Sequence, residues 1–500
     1  MRGLVMLFLV LAVLACNFPI ALFPDYADDI PFPTPRDGIS GIPSQANTPS
    51  AAEGSGGYLE ILRQPLRVEN AEVRYPAQSG DRIEVVANHF SVLPAQIQTF
   101  PLVSTQALLA PGQVLIIPDH LGLTYAEPQL FPDSEVIYSP LTADFNVEVF
   151  IKEKGGYLAG FHQRVGERVL TGGEIVSLVA RNTSINPRLL LAVIEYRSGW
   201  LTTIPTEINL TSPLGYFYSD YPGFYLEVSL TAKWLNMGYY GWREGTFNHF
   251  VFQNGDAARV APQNNAGTVA LQYLFAQLYP LEVWEEKLSG SASIVRTHET
   301  LFGDPWARAA AVEPMFTEDT RAPQLELPFA AGEEWALTGG LHVNWNSGTP
   351  TGALDFAPIT GERRCAVSTS WARASADGVV IRSSDSVVVL ALTDGENDPS
   401  GWQIFYMHLA EQDRVAQGVR VLEGEPIGHP SCEGGQATGT HVHIARLFKG
   451  EWIGAGGAFP LVLSGWTALP GEKQFQSQLV KEGRVVTARQ DGGIDSRIFR

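Results

Sequence analysis

Near residue 320 the hydrophobic pattern of this chain changes, and that change limits what the chain can fold into. Between about 150 and 300 the apolar stretches read as helices, as in "IVSLVARN", "RLLLAVIEYRSGW" and "NNAGTVALQYLFAQLY". Thr171 and Glu174 in "TGGE" form a capping box before the first of these, and Ser184 and Pro187 in "SINP" start the second. After 320, short β-rich runs alternate with turn residues, as in "GVVIRSSDSVVVLALTDG" and "WQIFYMHLAE". A segment patterned for helix does not settle as strand, nor the reverse. The 500 residues also exceed what one core holds. The expected architecture is therefore multidomain α+β, with a mostly helical part followed by a compact antiparallel β domain.

The first residues set the compartment. "MRGLVMLFLVLAVLAC" carries one positive charge at Arg2 and then an apolar run that suits a signal-peptide core better than a membrane span. It ends in Val13-Leu14-Ala15-Cys16, which resembles a bacterial lipobox. That resemblance implies residues 1–16 as a lipoprotein signal peptide, lipidation of Cys16 and a membrane-anchored, extracytoplasmic protein; a plain secretory signal is the alternative. Residues 17–70 are rich in Pro, Ala, Gly and Ser and read as a flexible linker. The net charge of −19 argues against nucleic acid as a partner. Export favours disulfides, and only Cys365 and Cys432 remain to form one. Such a bridge would contribute about 4 kcal/mol on chain-entropy grounds.

Two earlier segments carry resemblances of their own. In 71–120 a short strand, the Gly80-Asp81 turn, an amphipathic helix with Ile83, Val86, Ala87 and Phe90, a second helical stretch and a closing strand Val114–Ile117 follow in order. With "SGD", "VANHF" and "LLAPGQVLIIP" this small αβ module resembles LysM, which implies binding of N-acetylglucosamine-containing glycan. The asparagine usual after the second helix is missing from "QTFP". Residues 146–300, through "INPRLLLAVIEYRSGW", resemble lysozyme-like transglycosylases. There a glutamate directly precedes the Ser-Gly pair; here Arg197 holds that position and cannot serve as a proton donor. The expectation is a helical lysozyme-like domain that is non-catalytic. Glu195, two positions away, is the only displaced acid to weigh.

The chemistry concentrates in the β domain, 320–470. Half of the ten histidines fall there: His342, His408, His429, His441 and His443. In "GTHVHIARL" the side chains of His441 and His443 share one face of a strand. Histidine with aspartate suits zinc, which takes three protein ligands in a catalytic site. "GALDFAP", "FYMHLAE", "GEPIGH" and "GTHVHI", in this order, resemble lysostaphin-like zinc endopeptidases. The resemblance implies that Asp355 and His443 bind Zn²⁺ and that His441 and His408 act on the attacking water and the oxyanion. The family's first ligand lies four residues before the aspartate, where this chain has Thr351. His342, in "TGGLHVNWNSG", is the proposed replacement, delivered if the Gly/Asn/Ser-rich stretch folds back. The rival is a two-ligand, zinc-poor site. His429, before Pro430, reads as structural, His89, His120, His162, His249 and His298 as surface or core, and 471–500 as an uninformative tail.

Together these features lead to an exported cell-envelope peptidoglycan hydrolase. A C-terminal zinc endopeptidase would cut amide bonds in peptide stems or cross-bridges while the LysM-like module holds glycan. The alternative is a catalytically inactive peptidoglycan-binding protein that activates another hydrolase.

Overall fold

Thr171 opens the helical half with the expected capping box. Its Oγ1 accepts from Glu174 N at 3.0 Å, and the Glu174 carboxylate accepts from Thr171 N at 2.8 Å. Helix α1, Gly172–Thr183, follows. Ser184 ends α1 in the left-handed conformation instead of starting the next helix (φ 56°). The N-cap of α2, Pro187–Ser198, is Asn186, whose Oδ1 accepts from Arg188 N, with Pro187 in the first turn. Helices α3, Phe224–Arg243, and α4, Ala266–Ala276, pack beside them.

The computed structural model describes residues 67–69, 71–121, 129–360, 364–394 and 398–500. The signal segment 1–16 with Cys16, and the linker up to residue 66, lie outside the described residues. In the first described part, strands Arg67–Glu69, Glu72–Pro76, Val114–Pro118 and Gln98–Thr99 form a four-stranded sheet in that order. Helix Ile83–Phe90 buries Ile83, Val86, Ala87 and Phe90 against Val73, Tyr75, Leu115 and Ile117. The expected second helix does not form. Pro94–Gln96 makes a single 3-10 turn, and Gln98–Thr99 pairs with Leu115–Ile116. Pro94 sits in the first turn of that piece, where proline is tolerated, but Pro101 disfavours helix at and before its own position and so interrupts any longer helix.

The second half is built on a nine-stranded antiparallel sheet. Its strands in chain order are β1 Glu334–Val343, β2 Thr351–Pro358, β3 Gly378–Ser384, β4 Val387–Asp394, β5 Asp398–Met407, β6 Arg420–Val421, β7 Val442–Phe448, β8 Glu451–Ile453 and β9 Arg497–Phe499. They lie in the order β6-β3-β4-β5-β7-β2-β1-β9, with β8 paired to β7. Residues 471–500 are structured: Gln478–Lys481 and Arg484–Thr487 join a second four-stranded sheet, and β9 pairs with the outer edge of β1.

One buried cluster runs from Leu108 to Ile498 and crosses both halves. Trp452 on β8 donates through Nε1 to the Thr183 carbonyl and through its backbone N to Tyr240 Oη. Arg382 on β3 donates to Asn182 Oδ1 at 2.7 Å. Arg243, at the end of α3, bonds the Ser79 carbonyl of the first module, Asp133 at 2.9 Å and Glu451 of β8 at 2.9 Å. Glu451 is only 2% exposed and also accepts from Tyr239 Oη at 2.8 Å. Removing one partner of a buried pair leaves the other charge unpaired in a medium that solvates it poorly. Glu451→Ala is therefore expected to cost about 3–5 kcal/mol, read as a lower urea midpoint. Glu451→Gln, which keeps the Tyr239 bond, should cost less.

Candidate metal centre

Three neighbouring strands supply the central cluster. Asp355 on β2 is the direct antiparallel partner of His443 on β7, so both side chains leave the sheet on one face. On the other side of β2, His342 of β1 pairs with Ala353, and Gly339 pairs with Asp355 across an irregular register. His342 Nε2 lies 3.0 Å from His443 Nδ1 and 3.4 Å from Asp355 Oδ1, and His443 Nδ1 lies 3.2 Å from Asp355 Oδ1. His441 Nε2 is 3.8 Å from the same Asp355 oxygen.

The backbone sets which ring nitrogen is free. His342 Nδ1 faces the Gly340 carbonyl at 2.8 Å, and His443 Nε2 faces the Asn344 carbonyl at 3.0 Å. A carbonyl only accepts, so each of these nitrogens carries the proton. The tautomers follow from those partners. His342 Nε2 and His443 Nδ1 then present lone pairs to each other and to a carboxylate. Two lone pairs and an anion at about 3 Å repel unless a cation sits among them, which fits a bound metal ion. Orientation of a ligand ring by a carbonyl on its far nitrogen is the usual support for a metal-binding histidine. Among the described residues, His342, Asp355 and His443 can offer one ligand atom each, all within 4.8 Å of one another.

Burial alone would raise the Asp355 pKa, but the neighbouring His342, His441 and His443 outweigh it and hold the carboxyl well below the usual range. Burial lowers His342, against the pull of Asp355.

His342 lies on β1 itself, not on a loop. The stretch 344–350 folds back as the β1–β2 turn, with Asn344 N donating to the Pro350 carbonyl at 3.0 Å. Thr351 sits exposed at the outer end of β2, where its carbonyl accepts from Ala455 N. Sequence reading passed over the glycine pair before His342. A Cβ on Gly339 would collide with the Asp355 carboxylate, and one on Gly340 would come within 2.5 Å of Ser477 N. Two adjacent glycines before a histidine in a strand were the available signal.

His408 follows β5 and takes a left-handed backbone conformation (φ 64°). Its Nδ1 faces the Glu433 carbonyl at 2.8 Å, and its own carbonyl accepts from Ser431 N and Oγ. Burial pushes its pKa down to about 3, with His441 next in effect, so the ring is neutral in ordinary conditions. The His408 and His441 rings lie 4.4 Å apart, and His441 Nδ1 faces the Gly439 carbonyl at 2.7 Å. Cys365 and Cys432 form a disulfide with 5.1 Å between Cα atoms. Cys432 stands between Ser431 and Glu433, the two residues that hold His408.

The remaining candidates have structural partners. His429 packs on Trp371 at 3.8 Å and bonds the Ser370 carbonyl. The Glu195 carboxylate accepts from Leu201 N, Thr202 N and Thr202 Oγ1, which makes it a turn cap. Arg197 donates to the carbonyls of Leu214 and Gly215 and to Tyr279 Oη. Among the described residues, no helix is long and apolar enough to cross a membrane.

The chain is similar to several known proteins. A family profile described as LasA, N-terminal domain, matches residues 129–315, the helical half. Protease LasA of Pseudomonas aeruginosa is 28% identical over 303 residues, which cover 55% of this chain and 66% of that protein. The chain thus spans just under two thirds of LasA. Beta-lytic metalloendopeptidase of Achromobacter lyticus is 30% identical over 150 residues, covering 28% of this chain and 37% of that protein. Among solved structures, the M23 metalloprotease pseudoalterin from the deep sea is 25% identical, with a TM-score of 0.30, over 36% of this chain and 99% of that one.

A Cys365→Ala/Cys432→Ala double variant tests the loop support. It should lose about 2–5 kcal/mol of stability, and amide exchange should accelerate over 431–435 relative to the β5–β7 pairing.

Proposed function

We propose that the chain is a zinc metalloendopeptidase of the cell envelope, with peptidoglycan as substrate. The observation that carries this reading is the convergence of His342 Nε2, His443 Nδ1 and the Asp355 carboxylate on one point, with the outward nitrogen of each histidine fixed by a carbonyl. Those three residues would hold the metal. Similarity to a protease and to a metalloendopeptidase supports the reaction class. Peptide stems or cross-bridges are the proposed scissile elements. The module at 71–120 would add glycan affinity, and lipidation at Cys16 would keep the enzyme at the membrane.

A zinc ion there would supply Lewis-acid polarisation of water and of the scissile carbonyl. His441 stands at the edge of the cluster with its Nδ1 proton engaged, so Nε2 is left to accept a proton from water. Protonated, the same Nε2 becomes a donor to the leaving amine. His408, kept neutral by burial and with Nδ1 also engaged, offers Nε2 only as an acceptor. Its role is to orient the water and the His441 ring.

The test is the zinc content of the purified chain beside its variants. About one zinc per chain, lost in His342→Ala and His443→Ala and kept in Thr351→Ala, is the expected result. His441→Ala should retain the metal and lose roughly 10²–10⁴-fold in amine release from purified peptidoglycan. No zinc in the parent, even with metal added, would leave the chain as a peptidoglycan-binding, regulatory protein.

A further inference from the structure

Phe475 lies in a segment that sequence reading passed over, yet its ring is stacked on His342, with centroids 4.4 Å apart and planes 19° from parallel. Its backbone is in the left-handed region (φ 64°), which costs a non-glycine residue about 1–2 kcal/mol. Phe475 remains 42% exposed, so burial of the rest of the ring only roughly offsets that cost. A non-glycine residue in the left-handed region is an outlier of the kind found at functional sites. The segment is also fastened to β1 around the histidine. Phe475 N donates to the Leu341 carbonyl at 3.0 Å, Gly340 N donates to the Phe475 carbonyl at 3.1 Å, and Leu341 N donates to Ser477 Oγ at 2.8 Å. Gly340 has no side chain, and a Cβ there would meet both Ser477 N and the Phe475 carbonyl.

We propose that Phe475 is a positioning residue for the metal centre: its ring fixes the plane of His342 and keeps water off one face of that ligand. The inference rests on the zinc reading above. One hydrogen bond, from Nδ1 to Gly340, constrains the imidazole at one point only. A planar neighbour against its face and the His443 ring at its Nε2 edge (centroids 5.0 Å apart, planes at 66°) restrict the ring's orientation. In that orientation Nε2 faces Asp355 and His443. The apolar shell around a ligand governs solvent access and affinity as its hydrogen bonds do.

The experiment compares zinc dissociation constants, measured by chelator competition on the full chain, for the parent and for Phe475→Ala, Phe475→Leu and Phe475→Tyr. Ala and Leu are expected to weaken zinc binding about 10- to 100-fold, and Tyr, which keeps the planar face, should stay near the parent. The zinc-free proteins should melt together. A packing role alone would make Leu equal to the parent, and that result overturns the proposal. So would parent-like affinity in the Ala variant. A parent that takes up no zinc would remove the metal centre itself, and this inference with it. Zinc uptake by the parent that is indifferent to residue 475 would remove only the inference.

Discussion

The register among β7, β2 and β1 is the constraint on which the site depends. Asp355 opposes His443 directly, and His342 opposes Ala353 one strand further out. Strand side chains alternate faces, so a slip of one residue in either pairing would turn one of these side chains, the proposed ligands, to the opposite side of the sheet. The buried apolar face makes such a slip costly. Leu354, Phe356, Val442 and Ile444 are all essentially inaccessible to solvent, and each would be displaced with the ligands. Core packing thus enforces the alignment of the polar cluster. A site carried on paired strands is held more tightly than one assembled from loops. The proposed proton-handling pair depends on a different device. His408 and His441 lie just outside the regular pairing of β5 and β7, and the loop around Ser431, Cys432 and Glu433 holds them.

The helical half does more than precede the β half. Trp452, Arg382 and Glu451 all leave the sheet to bond residues of α1 and α3. Arg243 gathers the first module, the helices and β8 into one buried polar knot. Desolvation raises the Glu451 pKa, and the neighbouring guanidinium opposes that shift. Such a knot adds little net stability, but it penalises any arrangement that separates its members. The sequence break near 320 marks a change of secondary structure. The hydrophobic core continues across it.

Much of the site could be read from short local patterns. His441 and His443 one residue apart in a β-branched run declare a shared face, and "LDFA" declares a second strand. The capping box at Thr171 and the proline at 187 locate two helices for the same reason, since their determinants lie within a few residues. What escaped the reading depends on distant partners. Nothing local in "QFQS" says that Phe475 meets His342, and the glycine pair at 339–340 is explained only by the Asp355 carboxylate and by Ser477. Ser184 looks like an N-cap by residue type, but the preceding helix claims it as its own end. The second helix of the first module failed where Pro101 outweighed its apolar content. That His342 stands beside Asp355 and His443, with Thr351 exposed at the end of β2, follows from tertiary pairing of β1 with β2, which spacing along the chain does not reveal.

The pairing of β9 with β1 bears on the order in which the molecule assembles. The strand that carries His342 is closed on its outer side by residues 497–499, and its glycine pair is covered by 475–477. His342 finds Asp355 nearby in sequence, but its other lasting neighbours, His443 and Phe475, lie about a hundred residues or more downstream. Contacts of such sequence separation form late, because the chain must meet the entropy of long loops before they reward it. β1 can pair with β2 early through their short turn, whereas His443, the 475–477 segment and β9 reach it only when the rest of the chain is present. The cluster of His342, Asp355 and His443 is then completed late, so the proposed metal site would form only after most of the polypeptide has been made.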